Sequence, residues 1–141
     1  MKEVNDVSNL IAWLYSYAFK HKIGVLQIFT KPEYSSLSDK SKRLIIININ
    51  WKNKKELPFI IGHEIGHILA GESGLSNYCG TPLTPNERRA DLFSLSLIFE
   101  YASNQYDSFD EPIQFIEQYG IPYRMLADTK ALYKRSNKLV F

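Results

Sequence analysis

Phe59-Ile60-Ile61-Gly62-His63-Glu64-Ile65-Gly66-His67-Ile68-Leu69 is the stretch around which the chain is organised. It holds His-Glu-x-x-His inside an apolar run that reads as a helix. On a helix, two histidines four residues apart sit about 40° apart around the axis and one turn along it. Their imidazoles can converge on one ion, leaving room for a third ligand and a water. Glu64 projects beside them, placed to take a proton from that water and not to bind the ion. Wound at about 100° per residue, Ile61, Ile65, Ile68 and Leu69 share one flank, with the histidines roughly opposite. The pattern predicts a helix buried on one side, with its histidine face on a cleft. Gly62 and Gly66 lower helix propensity and mark places where another backbone passes close. The bland alternative is two core histidines bonded to carbonyls, with a glutamate paired nearby. The chain has only three histidines, and two in this arrangement on an apolar helix favour a metal.

The next segment offers a third ligand. Thr84-Pro85-Asn86-Glu87 opens a helix, with Thr84 as its cap and Pro85 in the first position. Glu87 can close a capping box, a wholly structural task. It also lies 20 residues after His67, and Asp91 follows on the same face about 40° round. Ala90, Ser94, Leu97 and Ile98 share that inward face, while Arg88 and Arg89 point elsewhere. Two carboxylates on a buried face are costly unless something positive meets them. A metal with its histidines supplies that charge, with Glu87 as ligand and Asp91 bonded to a histidine's free nitrogen.

Upstream, Val7 to Phe19 is apolar at 7, 10, 11, 14, 15 and 18, the spacing of an amphipathic helix. Asp6 is its expected cap and Gly24 its end. His21 reads as a surface residue or a partner of the helix C-terminus. Val25 to Phe29 reads as a strand, residues 34–38 as a short middle strand, and Arg43 to Asn50 as the strongest strand of the chain. Asn48 and Asn50 in the last read as leaving cover at one end. Its edge, beside the metal helix, could hold an extended peptide, although an ordinary sheet core is an equal reading. Residues 72–84 read as a loop, and Cys79 within it is expected to stay off the metal. Glu111 to Tyr119 and Pro122 to Tyr133 form two helices joined through Gly120-Ile121. This is a helix-turn-helix or, more commonly, a plain hairpin packed on the core.

Composition narrows the function classes. The chain of 141 residues suits one domain, with residues 1–104 as core and 108–141 as a helical hairpin on or beside it. A net charge of +2 makes no electrostatic case for nucleic acid or a membrane surface. The single Cys79 excludes an internal disulfide and suits a reducing compartment. Two acids in Met1-Lys2-Glu3-Val4-Asn5-Asp6 stand where a signal peptide carries positive charge, and no apolar run has membrane-spanning length. A cytoplasmic protein is expected.

His63-Glu64-x-x-His67 followed by Glu87-x-x-Ala90-Asp91-x-Phe93 resembles the ImmA/IrrE family of small bacterial and phage metallopeptidases. These are gluzincins, in which a glutamate is the third zinc ligand. The resemblance spans most of the chain, and its specific part is residues 59–99. Where the family usually has Asn-x-Phe-Ala, this chain has Asp91-Leu92-Phe93-Ser94, and Glu100 stands where a proline is usual. The resemblance implies cleavage of a helix-turn-helix transcriptional repressor of a prophage or mobile element.

The resulting expectation is an α+β zincin-like domain. It has an N-terminal helix, a short, mostly antiparallel sheet of about three strands, the His-Glu-x-x-His helix, a Glu-bearing helix and a C-terminal hairpin. One Zn2+ per chain is held by His63, His67 and Glu87, with Asp91 behind and Glu64 as general base. A second oxyanion stabiliser is expected to be a tyrosine and not His21. The partner is a protein substrate, with no direct contact to nucleic acid or membrane. The rival is a zinc-containing binding protein that controls a repressor by contact, and a weaker one is a DNA-binding module using the C-terminal hairpin.

Overall fold

The computed structural model describes residues 2–71, 75–77, 84–105 and 111–139. The fold is α+β, with helices α1 (Lys2–Lys20), α2 (Leu57–Leu69), α3 (Pro85–Asn104), α4 (Pro112–Tyr119) and α5 (Leu126–Leu139). The strands are β1 (Gly24–Ile28), β2 (Leu37–Asp39), β3 (Leu44–Asn48) and β4 (Leu75–Asn77). They form one sheet in the order β1-β3-β2-β4. The antiparallel pair β2–β3 lays β3 parallel to β1, and β4 adds antiparallel to β2.

Helix α1 buries Leu10, Leu14 and Ala18, one residue per turn, as the apolar spacing requires. It begins at Lys2 and not after an Asp6 cap, since no glycine or proline in Lys2–Asp6 stops the helix from extending back. Its end also differs from expectation. Lys22 takes the left-handed turn (φ 60°), leaving Gly24 free to open β1.

Strand β3 is the middle of the sheet, paired through all five residues with β1 and through Leu44–Ile46 with β2. Its edge is therefore spent, and the expectation that it holds a peptide fails. Asn48 does not leave cover either. It is fully buried, and its side-chain Nδ2 donates to the carbonyls of Lys31 (2.8 Å) and Tyr34 (2.9 Å). Its Oδ1 accepts from the backbone of Asn50 (3.0 Å). A polar residue at a strand end can thus be an internal clamp for the neighbouring loop.

Helix α2 crosses behind β2 and β3 and packs most extensively on α3. Every residue from Leu57 to Ile68 is buried, so the helix is enclosed and not one-sided, and its histidine face meets α3. The two glycines explain the close approach. A Cβ on Gly62 would collide with Ser94 Oγ, and one on Gly66 would lie 3.1 Å from the Phe93 ring and 3.3 Å from Ala90 Cα. Gly71 (φ 77°) ends the helix, while Gly74 lies outside the described residues. Residues Phe115, Ile116, Tyr119, Ile121 and Met125 join the same hydrophobic cluster as Leu14, Ile47, Phe59 and Ile98. No helix among the described residues is long and apolar enough to cross a membrane.

Candidate metal centre

Three segments build the site. Pro58, in the first turn of α2, starts a helix that delivers His63, Glu64 and His67 to the sheet-facing and α3-facing sides. The Thr84 side chain caps α3 by accepting from the Glu87 backbone N–H at 3.2 Å. The two readings of Glu87 therefore divide within one residue. Its backbone satisfies the cap, and its carboxylate turns inward to the histidines.

The three donor groups converge. His63 Nε2 lies 2.8 Å from Glu87 Oε2, His67 Nε2 lies 3.0 Å from Glu87 Oε1, and the two Nε2 atoms are 3.1 Å apart. Donors about 2.0–2.1 Å from one tetrahedral ion are separated by roughly 3.3 Å. The observed spacings fall a few tenths short of that, so a small outward relaxation would admit an ion. His63, His67 and Glu87 could hold a metal ion. Both histidines are 1% exposed, while the Glu87 side chain at 15% is the donor that reaches the surface.

Behind His63 stands Asp91, wholly buried. The His63 Nδ1–H donates to Asp91 Oδ1 at 2.8 Å, which sets the ring so that Nε2 is directed at Glu87. Arg124 closes the far side of that carboxylate, with Nε donating to Oδ2 at 3.1 Å and Nη2 to Oδ1 at 3.2 Å. Sequence reasoning missed Arg124.

Glu64 is the electrostatic exception. It is fully buried, and among the described residues neither carboxylate oxygen has a partner at full hydrogen-bond geometry, the Ser38 hydroxyl lying near without completing one. Burial pushes its pKa up to about 8, against the pull of the His63 and His67 charges and of the nearby Ser38 hydroxyl. An orphaned buried carboxylate is costly in a purely structural core and calls for a polar guest. For His63, burial acts to lower the pKa, but the bonds to Asp91 and Glu87 outweigh it and hold it at about 9. For Glu87, burial acts upward and the two histidine bonds overcome it, bringing the carboxyl down to about 2. Asp91 is likewise lowered, burial being outweighed by His63 and Arg124.

The remaining candidates fall elsewhere. His21 is exposed at the end of α1, its Nδ1 2.9 Å from the Tyr17 carbonyl and its ring stacked on Tyr17. Cys79 lies outside the described residues. A surface cavity of about 330 Å³ lined by Lys55, Glu56, Glu117 and Tyr123 contains none of the donors, so the cluster is not its floor. Compared with protein-family models, with curated proteins and with solved structures, the chain matches none.

Proposed function

We propose that the protein is a zinc-dependent endopeptidase acting on a protein substrate. The observation that carries this reading is Glu64, a fully buried carboxylate without a well-formed hydrogen bond among the described residues, beside three convergent groups that could hold a metal. A structural metal site closes its coordination with protein ligands and has no use for a neighbouring free carboxylate, whereas a hydrolytic site needs one. Two nitrogens and a carboxylate suit zinc over the harder magnesium or calcium.

The roles follow from the contacts. His63, His67 and Glu87 hold the ion, and Asp91 orients His63. When bound, zinc would supply Lewis acidity toward a water and the peptide carbonyl. Glu64 would take the proton released by an attacking water and pass it to the departing amine nitrogen. The choice of a helix-turn-helix repressor as substrate rests on the resemblance of residues 59–99 to the ImmA/IrrE family.

One observation favours a second reading, a repressor-binding protein with a structural metal: both histidines are almost completely enclosed. The variant Glu64→Gln separates the two. It preserves size and is not a ligand, so zinc content and melting temperature are expected to stay at wild-type values. Cleavage of a co-expressed repressor is expected to fall about 10²–10⁴-fold, the usual contribution of a general base. Relief of repression by the variant at wild-type levels, with the repressor intact, would overturn the protease reading.

A further inference from the structure

We infer that Arg124 is a positioning residue for the metal centre. It acts through Asp91 to fix the His63 imidazole, and so carries the grip of the C-terminal segment into metal affinity. The inference rests on the metal reading above and extends it to a residue on neither ligand helix.

The geometry is a relay of three side chains. An aspartate carboxylate rotates easily about its last torsion, which has broad, roughly two-fold preferences. A single bond from His63 to Oδ1 leaves that rotation open. Arg124 closes it, because Nε and Nη2 engage both oxygens, 3.1 and 3.2 Å away, in a planar fork. With both oxygens held, Oδ1 becomes a fixed acceptor for His63 Nδ1 at 2.8 Å. The ring plane is then set, and Nε2 points at the Glu87–His67 pair.

Arg124 is itself held firmly. It lies in the turn Tyr123–Met125, between Ile121 (4% exposed) and Met125 (0%), both in the core. Its guanidinium carbon sits 5.8 Å from the centre of the Phe59 ring, in the first turn of α2. The guanidinium thus lies against α2 on one side and bonds α3 on another, and Asp91 links it to the ligand between them.

A merely structural tie between α3 and the C-terminal segment predicts something different, and the molecule supplies the control. Arg88, on α3 like Asp91, binds Asp128 on α5 through two contacts of 2.5 and 2.9 Å and acts on Asp91 through its charge and not through a hydrogen bond. Both bridges join the same segments, but only one is bonded to Asp91.

The test is zinc affinity, measured by competition with a chromophoric chelator, in the wild type, Arg124→Gln, Arg88→Gln, Asp91→Asn and the Arg124→Gln/Asp91→Asn double variant. Arg124→Gln is expected to bind zinc about tenfold more weakly, the low end for losing an outer partner of a ligand. Arg88→Gln is expected to match the wild type, and the double variant to bind no more weakly than Asp91→Asn alone. The visible spectrum of the cobalt(II) form should shift in Arg124→Gln and not in Arg88→Gln. Arg124→Lys keeps the charge but not the fork. It is expected to bind severalfold more weakly and stands in should the glutamine variant not fold. Wild-type affinity in both Arg124 variants, or equal losses in Arg124→Gln and Arg88→Gln, would overturn the inference while leaving the metal reading intact. A wild-type protein that binds no zinc would sink both.

Discussion

At the scale of single residues, the site gathers two histidines, three carboxylates and Arg124 into one network. In the metal-free protein, Glu64 is held neutral up to about pH 8 and His63 protonated up to about pH 9. Both folded-state values lie above the unfolded ones, so the folded chain binds more protons than the unfolded chain between about pH 4.5 and 9. Stability of the metal-free form is therefore expected to decline as pH rises through that window, Glu64 contributing below about 8 and His63 from 6.5 to about 9. Thermal melts in chelator at pH 6, 7.5 and 9 check this, and a melting temperature that climbs toward pH 9 would contradict it. The convergence of His63 and His67 was legible in the sequence because a spacing of four on a helix brings two side chains together without any knowledge of the fold. Glu87 and Asp91 were legible as one inward face with no counter-charge. Arg124 was not legible, because its bond to Asp91 spans 33 residues and depends on how a turn docks. No periodic pattern records such a partnership.

At the scale of elements, the α2–α3 contact decides whether the donors meet. Gly62 permits it, and Ser94 answers from the other helix, its Oγ donating to the Phe59 carbonyl at 2.7 Å. Gly62→Ala puts a methyl group into that seam, against a hydroxyl already committed to a bond. Overpacking of this kind costs about 1–3 kcal/mol, read as a lower denaturant midpoint at unchanged slope. Zinc affinity is expected to fall with it, since parting the helices draws Glu87 from the histidines. An alanine variant as stable as the wild type would mean that the two helices have slack. The glycines announced this contact because each weakens a helix locally and so needs a reason. The short strands announced little. Leu37-Ser38-Asp39 and Leu75-Ser76-Asn77 contain no β-branched residue, and β4 exists by pairing with β2 and not by its own preference. The parallel pairing of β1 with β3 was equally hidden, because it follows from the β2–β3 hairpin swinging β3 inward.

At the scale of the whole molecule, the C-terminal segment is part of the core that surrounds the site. Phe115, Ile116, Ile121 and Met125 are almost wholly enclosed. Gly120, at φ 67°, ends α4 where a Cβ would run into the Lys55 carbonyl, so the turn before α5 closes on the approach to α2. A chain ended after Gln105 exposes the faces those residues cover. It is expected to lose the near-ultraviolet circular dichroism of a packed core, and retention of that signal would show the remainder to be self-sufficient. The relay from Arg124 also has a consequence in time. A ribosome releases His63, His67 and Glu87 well before Arg124, so for part of synthesis the growing chain carries every donor and lacks the residue that steadies one of them. Until Arg124 emerges, the Asp91 carboxylate has His63 without the guanidinium, and the cluster reaches its final arrangement only once the turn Tyr123–Met125 has docked.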